Sequence, residues 1–511
     1  MKRRTMLKVG LGGVGAAALG TGGTLGYWWS SADINTAGRV DFDRRLAIPP
    51  LAPARRDAKG RKVFELRAAP GEHRLRPGRT TATWGINGSY LGPTLRATRG
   101  DTVRVDVQNG LREPTSLHWH GMHLPARMDG GPHQPVEPNQ TWSPTWTIDQ
   151  PAATLWYHPH PHGETARHVY RGLAGLFILD DPKTKHARPG GSALPSHYGI
   201  DDVPVIVQDK RLDGDNQLDE SHPRLSEVGL LGDVICVNGT TGPYLPVTTE
   251  RIRLRLLNAS NARTYRFGFT DDRPFALIGT DGGLLPAPHR TTRIQLSPGE
   301  RAEIVVTVRP GERTVLRSYP PDLGLNFMNR RFTGGDDTLD ILELRAARSL
   351  KPSPPLPDHL ATAPALAARN APVDRKFELA GSAINGKSMD MSRIDFAVRR
   401  GATEVWEVTA GDDNQHNFHV HDVQFQVLSV DGKPPPPELA GWKDTVHTRP
   451  DIPYRLAMRF SDHSDRTTPY MYHCHILYHE DQGMMGQFVV TKPGEKPGTM
   501  SGGMPGGGHH H

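Results

Sequence analysis

Short apolar runs separated by turn-forming residues dominate the chain. The runs are rich in Val, Ile, Leu and Thr, and Gly, Pro and Asn interrupt them every few residues. Clear examples are the segments 102–107, 251–257 and 403–408. Runs of this length and composition predict β-strands. We therefore expect an all-β protein built from sandwiches.

Three similar phrases divide the chain into blocks. An Asn-Gly pair preceded by Ile or Val occurs at Asn87, Asn238 and Asn385, at intervals of about 150 residues, and a strand-like run follows each pair. Such a repeat in a chain of 511 residues predicts three copies of one domain. We assign the copies to residues 45–185, 200–347 and 374–494, with a Pro/Ala-rich linker at 348–373 that has room for one short helix.

Composition and charge exclude several classes of protein. The 55 Gly and 45 Pro argue against a helical bundle, and two Cys are too few for a disulfide-rich scaffold. The formal net charge is +6, but Lys2, Arg3, Arg4 and Lys8 supply four of these charges. The remaining charges nearly balance and no long basic run is present, so we expect no nucleic-acid partner.

We interpret both termini as segments outside the folded domains. A basic start and a weakly apolar stretch rich in Gly and Ala predict a signal segment at residues 1–32, of the twin-arginine type because of Arg3-Arg4. We expect export to the periplasm, cell envelope or medium, without stable membrane insertion after removal of the signal; an uncleaved anchor is the alternative. The tail 495–511, rich in Gly and Met and ending in three His, is a disordered end, an engineered remnant or a weak copper-gathering arm.

The histidines are clustered in a pattern that indicates metal binding. Residues i and i+2 of a strand point to the same face, so a His-x-His pair presents two imidazoles to one place. One such pair arises by chance; two in the first block and two in the third do not. Eight neutral imidazoles suit a copper cluster better than one zinc ion, which takes four ligands. The pairs are His118/His120, His158/His160, His419/His421 and His473/His475.

Cys474 lies between His473 and His475. Strand alternation sends its sulfur to the opposite face, where it can meet His416 and His479, with Met484 beyond. Two His, one Cys thiolate and a weak axial Met make a blue-copper electron-transfer site. The other cysteine, Cys236, lies in an apolar run and is interpreted as a small buried hydrophobe.

These motifs together resemble the four copper motifs of the multicopper oxidases. The resembling segments are His118-Trp119-His120-Gly121, His158-Pro159-His160, His416-x-x-His419-x-His421 and His473-Cys474-His475-x-x-x-His479-x-x-x-x-Met484. The likeness covers about residues 45 to 494 and is greatest to three-domain bacterial laccases and copper-efflux oxidases. It implies three consecutive cupredoxin-like Greek-key β-sandwich domains. The third holds a type 1 copper, a trinuclear cluster lies between the first and third, and the middle domain is a spacer without copper.

The resemblance also implies a ligand set for four copper ions. His162 extends the second motif and leaves a shifted register open, and His123, His133 and His168 are interpreted as neighbours or surface residues. The implied ligands are His416, Cys474, His479 and Met484 for type 1; His118 and His419 for type 2; His120, His158 and His475 for one type 3 copper; and His160, His421 and His473 for the other.

Further residues are implied in catalysis. Asp129 and Glu480 match acidic positions that the family uses to supply protons, although a loop aspartate and a solvated glutamate are the alternative interpretations. Electrons would enter near His416, taken as the exposed type 1 ligand, and Asp412 would orient His416 or bind a cationic substrate. The reaction implied is one-electron oxidation of a small donor coupled to four-electron reduction of O2 to water.

The methionine content of the sequence bears on which electron donor the protein oxidises. No Met occurs between residues 349 and 383, and none directly precedes His416, which weakens the case for a specialised Cu(I) oxidase. We therefore expect a laccase for phenols or aromatic amines. A metallo-oxidase for Cu(I), Fe(II) or Mn(II) is the second hypothesis, and a non-enzymatic scaffold or copper store is the third. Both halves of the cluster come from one chain, so we expect a monomer.

Overall fold

A computed structural model describes residues 32–182, 194–221 and 226–499. The predicted signal segment 1–32 lies outside these residues except for Ala32, and the predicted tail 495–511 lies outside them from residue 500. The regular secondary structure of the described residues consists almost entirely of β-strands, as the apolar pattern predicts. In this part of the chain, every helix is too short and too polar to cross a membrane.

The first sandwich packs two sheets around a core that includes Phe64, Trp119 and Phe177. One sheet has the order β5-β11-β10-β7; the other has β2-β3-β6-β8, with β4 beside β3 and β9 beside β6. Strand β1, Arg44–Arg45, comes first in the chain but belongs to a sheet of the middle sandwich. The elements of the first sandwich are β2 Arg55–Arg56, β3 Lys62–His73, β4 Thr81–Ile86, β5 Leu95–Thr98, β6 Thr102–Asn109, β7 His118–His120, β8 Thr141–Trp142, β9 Thr145–Thr147, β10 Ala153–His158, helix α1 Thr165–Arg171 and β11 Gly175–Asp180.

The middle sandwich packs two sheets around a core that includes Leu254, Phe267 and Ile304. The strands given in the next sentence, together with β1, form sheets of order β14-β13-β12-β16-β21-β18-β19 and β1-β15-β23-β22-β17-β20. They are β12 Asp202–Lys210, β13 Val234–Val237, β14 Thr240–Thr241, β15 Pro243–Thr249, β16 Arg251–Asn258, β17 Tyr265–Phe269, β18 Phe275–Thr280, β19 Gly283–Thr291, β20 Ile294–Leu296, β21 Arg301–Thr307, β22 Arg313–Tyr319 and β23 Leu339–Lys351, with helix α2 at Phe327–Phe332.

The third sandwich surrounds a core with many aromatic side chains, including Phe377, Trp406 and Phe418. Its sheets have the orders β25-β24-β27-β32-β29-β30 and β26-β34-β33-β28-β31. The elements are β24 Arg375–Ala380, β25 Ala383–Ile384, β26 Phe396–Arg399, β27 Thr403–Ala410, β28 His416–Val420, β29 Phe425–Val430, β30 Trp442–Lys443, β31 Thr445–Thr448, β32 Tyr454–Arg459, β33 Asp465–His473, helix α3 Leu477–Asp481 and β34 Met485–Thr491.

The Asn-Gly phrases take the same conformation in all three sandwiches. Asn87, Asn238 and Asn385 each have a positive φ, between 50° and 55°, which asparagine tolerates better than most residues. In each case the side-chain oxygen accepts from a backbone N–H of a neighbouring strand, and the side-chain NH2 donates to the carbonyl two residues earlier on that strand. This shared geometry supports the interpretation of the sandwiches as three copies of one domain.

The segment predicted as a linker differs in detail from the expectation. Strand β23 continues to Lys351, where Lys351 pairs with Thr249, so residues 348–351 are strand. Between Lys351 and Arg375 the structure contains no helix, and the predicted short helix is therefore wrong. The six Pro residues between positions 352 and 372 explain this, because proline lacks the N–H that a helix interior needs.

Candidate metal centre

Strand pairing brings the four His-x-His motifs together in two equivalent ways. In the first sandwich, β7 and β10 run antiparallel with His118 opposite His158. In the third, β28 and β33 run antiparallel with His419 opposite His473. The second histidine of each motif is the last residue of the same strand or follows its last residue by one or two positions. All eight side chains are buried where the two sandwiches meet.

The rings from the two sandwiches interleave. His118 stacks on His421 and His120 stacks on His419, each with ring centroids 3.8 Å apart. Nε2 of His473 faces Nε2 of His421 at 3.2 Å, and it also faces Nε2 of His160 at 3.2 Å. Each close group of ligand atoms therefore combines residues of the first and third sandwiches.

The ligand atoms converge in small sets, each within a span of 4.8 Å. These sets bring together the residues that the sequence assigns to a common ion, with His421 joining His118 and His419 as well. They are His118, His419 and His421; His120, His158 and His475; and His160, His421 and His473.

The inward-facing nitrogens have the properties of metal ligands. Nε2 of His118, Nε2 of His419 and Nδ1 of His120 are buried without a hydrogen-bond partner, which is costly unless another group satisfies them. The other nitrogen of each ring makes a hydrogen bond. For example, Nδ1 of His118 donates to the carbonyl of Asp129 at 2.9 Å. Burial lowers the pKa of His120, His419 and several neighbours well below the ordinary value, so the rings are neutral and can bind a metal.

Asp129 and Glu480 both lie against the cluster. Asp129 is buried, and its carboxylate accepts from Nδ1 of His421 at 2.7 Å. Glu480 is also buried, with its two oxygens 3.3 Å from Nδ1 of His160 and 3.2 Å from Nδ1 of His473. Burial opposes ionisation of Glu480, but the two imidazoles outweigh it and lower the pKa to about 2. Glu480 is therefore not the solvated glutamate of the alternative interpretation, and Asp129 lies in a loop but is buried against the histidines.

Cys474 lies at the centre of a second set of donors. Its Sγ is 3.9 Å from Nδ1 of His416 and 3.7 Å from Nδ1 of His479. Met484 is buried in the same core, and its carbonyl accepts from the backbone N–H of Cys474 at 3.1 Å. Burial raises the pKa of the Cys474 thiol to about 12, so forming the thiolate that binds metals needs a cation beside it.

The expected exposure of His416 is wrong. Its side chain is fully buried, whereas the neighbouring Asp412 side chain is 25% exposed and accepts from Nε2 of His416 at 2.9 Å. The residues Asp412–Asn414 are held against α2, because Asn326 N–H donates to Asp413 Oδ1 and Asn329 donates to the Asp413 carbonyl. Asp412 is therefore the solvent-exposed member of this pair, and His416 is the buried one.

The remaining candidate histidines lie outside these sets. His162 is exposed, unlike His158 and His160, which agrees with the register chosen for the second motif. His168 is buried against Thr115 and Glu113, and His133 contacts Gln487. His123 bridges Asp422 and Asp462.

Sequence reasoning missed two residues that hold the cluster. Asp444 accepts from Nε2 of His120 at 2.9 Å through its carboxylate and from Nδ1 of His419 at 2.8 Å through its carbonyl. Asn417 accepts from the backbone N–H of His475 at 2.6 Å and lies 3.5 Å from Sγ of Cys474. Neither has a local sequence signal beyond being a polar residue within a strand-like run.

Copper fits these donors. Imidazole suits copper, and a set of two imidazoles, one thiolate and a nearby thioether is specific to blue copper. The unpartnered inward nitrogens and the buried thiol are the groups that such ions would satisfy. Cys474 would also connect the two sites, since its chain neighbours His473 and His475 belong to the histidine cluster.

Comparison with known proteins agrees with this chemistry. Three family models described as multicopper oxidase match residues 69–184, 210–315 and 353–494. The multicopper oxidase mco of Staphylococcus haemolyticus is 36% identical over 456 residues, covering 87% of this chain and 92% of the relative. The cell division protein FtsP of Dickeya dadantii is 38% identical over 453 residues, with 87% and 92% coverage.

A solved structure gives the same result for the fold. The laccase of Pediococcus acidilactici superposes with a TM-score of 0.77 at 36% identity, covering 88% of this chain and 93% of that one. The three cupredoxin-like sandwich domains expected from the sequence are thereby confirmed. With close relatives over most of its length, the chain belongs to the multicopper oxidase family.

Proposed function

We propose that this protein is a laccase-like multicopper oxidase that couples one-electron oxidation of phenols or aromatic amines to reduction of O2 to water. Four donor molecules each lose one electron and one proton, and one O2 takes up four electrons and four protons to give two water molecules. The observation that carries the proposal is the convergence of eight buried imidazoles beside a buried thiol that lies between two of them in sequence.

The proposed ligands for four copper ions are those of the sequence assignment. Bound copper would supply single-electron storage and the capacity to reduce O2. The ligands are His416, Cys474, His479 and Met484 for type 1; His118 and His419 for type 2; and His120, His158, His475 with His160, His421, His473 for the type 3 pair.

The chain itself positions the ligands and handles protons. Asp129 accepts the Nδ1–H of His421, and Glu480 places its two oxygens 3.3 Å from Nδ1 of His160 and 3.2 Å from Nδ1 of His473. These are the two carboxylates from which protons would pass to the oxygen site. Burial of the cluster excludes bulk water and keeps the rings neutral. Asp412 fixes the His416 ring by accepting from Nε2.

An aromatic donor is favoured by the surface beside Asp412. Helix α2 carries Phe327, which is 66% exposed, and α2 is held against residues 412–414 by Asn326 and Asn329. An exposed aromatic ring offers a stacking surface for a phenol or aniline. The pKa of Asp412 is lowered to about 2: burial opposes the shift, but His416 and the N–H of Gly381 outweigh it, and the resulting carboxylate attracts a cationic amine.

Oxidation of Cu(I) is the second candidate, and one observation favours it. Met328, 44% exposed, lies next to Phe327 on the same helix. The sequence shows no methionine directly before His416, but α2, which carries Met328, belongs to another domain and is held against residues 412–414 by Asn326 and Asn329. Soft sulfur ligands select Cu(I), so Met328 and Asp412 together would suit this substrate.

A non-enzymatic scaffold is the third candidate because relatives include a cell division protein. We rank it below the two oxidase functions because all twelve proposed ligand positions are filled. We further propose export by the twin-arginine-type segment at 1–32, to the periplasm, envelope or medium, and a monomeric state with both halves of the cluster in one chain.

Oxygen uptake by the copper-loaded protein tests the proposal, with a simple phenol and with Cu(I) at matched concentrations. Faster uptake with the phenol supports the laccase. Faster uptake with Cu(I) replaces it by the metallo-oxidase, and no uptake with either donor by a fully loaded protein replaces both by the scaffold.

A further inference from the structure

The middle sandwich reaches the histidine cluster through a buried ion pair. Arg301, the first residue of β21, donates from Nη1 to Asp444 Oδ1 at 2.7 Å and from Nη2 to Asp444 Oδ2 at 2.6 Å. Both side chains are fully buried. A planar guanidinium paired in this bidentate way fixes both the position and the plane of the carboxylate.

Asp444 in turn contacts one histidine from each outer sandwich. Its Oδ1 accepts from Nε2 of His120 in the first, and its backbone carbonyl accepts from Nδ1 of His419 in the third. One aspartate held by the middle sandwich thus contacts both halves of the cluster.

This contact determines which nitrogen of His120 is available. The guanidinium of Arg301 can only donate, and it donates to both carboxylate oxygens of Asp444, so Oδ1 also faces His120 as an acceptor. Nε2 of His120 must then carry the proton, which leaves the lone pair on the buried, unpartnered Nδ1. In His118, His419 and His421 the arrangement is reversed: Nδ1 is the held nitrogen and Nε2 faces inward.

A second layer of charges holds the ion pair in place. Asp281 accepts from the backbone N–H of Arg301 at 2.7 Å and pairs with Lys443 at 2.9 Å. Lys443 also donates to Glu300 at 2.6 Å. Lys443 and Glu300 are the chain neighbours of Asp444 and Arg301, and all these groups are buried. These contacts therefore restrain the backbone on both sides of the pair, at Arg301 and at Asp444.

We propose that Arg301 and Asp444 are positioning residues of the copper cluster, and that the middle sandwich sets the tautomer and orientation of His120 through them. This inference rests on the proposed ligand role of His120. It assigns the middle sandwich a task beyond spacing the outer two. Both oxygens of Asp444 accept from Arg301, so an amide at this position turns its NH2 toward either Arg301 or His120. Losing the carboxylate would therefore let His120 adopt the other tautomer or rotate, and would weaken copper binding at the ion it serves.

The test compares Asp444→Asn with a matched control, Asp202→Asn. Asp202 is also a fully buried partner of a bidentate arginine in the middle sandwich, Arg255, but it contacts no cluster histidine in the described structure. Both variants are loaded with copper. Copper per chain and the visible absorbance of the Cys474 site are measured, and histidine 15N NMR spectra are recorded on the fully reduced, diamagnetic protein.

We expect Asp444→Asn to bind cluster copper about 10- to 100-fold more weakly and to change the 15N signals of His120, while the colour of the Cys474 site remains. Asp202→Asn should keep all copper and the wild-type His120 signals. Arg301→Lys keeps the charge but loses the bidentate geometry, and it provides a second variant with an intermediate loss if Asp444→Asn does not fold.

Two results would overturn the inference: full copper and unchanged His120 signals in Asp444→Asn, or an equal copper loss in Asp202→Asn, which would indicate a merely structural effect. If the wild-type protein itself binds no cluster copper, the proposed function fails. If the wild type assembles the cluster and Asp444→Asn does so equally well, only the positioning role fails.

Discussion

The carboxylate of Asp129 accepts a hydrogen bond from Nδ1 of His421 at 2.7 Å, across the junction of the first and third sandwiches. Through its backbone carbonyl, Asp129 also holds Nδ1 of His118. His118 and His421 stack on each other, so one residue fixes both members of an interdomain ring pair. A carboxylate in this position can orient ligands and supply protons.

The substitution Asp129→Asn separates these two roles. The asparagine side chain leaves the backbone contact with His118 in place and keeps an oxygen acceptor for His421, but it cannot deliver a proton from a carboxyl group. We expect the blue colour and the copper content to persist while oxygen consumption slows about 10- to 100-fold. Steady-state oxygen uptake beside the visible spectrum checks this, and uptake at the wild-type rate would refute the proton role.

Glu480→Gln should have a similar effect from the other side of the cluster. Glu480 lies between Nδ1 of His160 and Nδ1 of His473, and glutamine provides one acceptor where the carboxylate provides two. We expect a loss of at least about tenfold in oxygen uptake with copper still bound.

Its chain neighbour Asp481 offers a control. The carboxylate of Asp481 accepts from the N–H groups of Thr165 and Ala166 at the start of α1. Asp481→Asn keeps an acceptor there and should retain activity. Equal losses in Glu480→Gln and Asp481→Asn would contradict a specific role for Glu480.

Variants of helix α2 should separate the two candidate substrates. Phe327→Ala removes the exposed ring and should raise KM for a phenol about two- to tenfold, with little change for Cu(I). Met328→Leu removes only the thioether, and it should raise KM for Cu(I) with little change in KM for the phenol. Each variant is the control for the other. If KM is unchanged for both donors in both variants, the surface of α2 takes no part in substrate binding.

The periodic features of this protein were predictable from sequence because they depend on local geometry. Strand alternation alone places His118 and His120 on one face, and the repeated Asn-Gly phrase marks the three sandwiches. The burial of His416 was not predictable, since the loop around Asp412 is held by Asn326 and Asn329, more than 80 residues away. The pair Arg301 and Asp444 lies 143 residues apart and follows no pattern, so only the fold reveals it.

We propose that this chain assembles one copper site on Cys474 and a separate copper cluster on the eight histidines. Copper per chain and visible absorbance, measured for wild type, Cys474→Ser and Cys236→Ser, test it most directly. Cys236 is the matched control because it is also buried and free, but lies in the middle sandwich. We predict about four copper ions and a blue colour for wild type and Cys236→Ser, and loss of both the colour and about one copper ion in Cys474→Ser. A colourless, copper-loaded wild type, or a blue Cys474→Ser variant, would show that Cys474 does not form a blue-copper site.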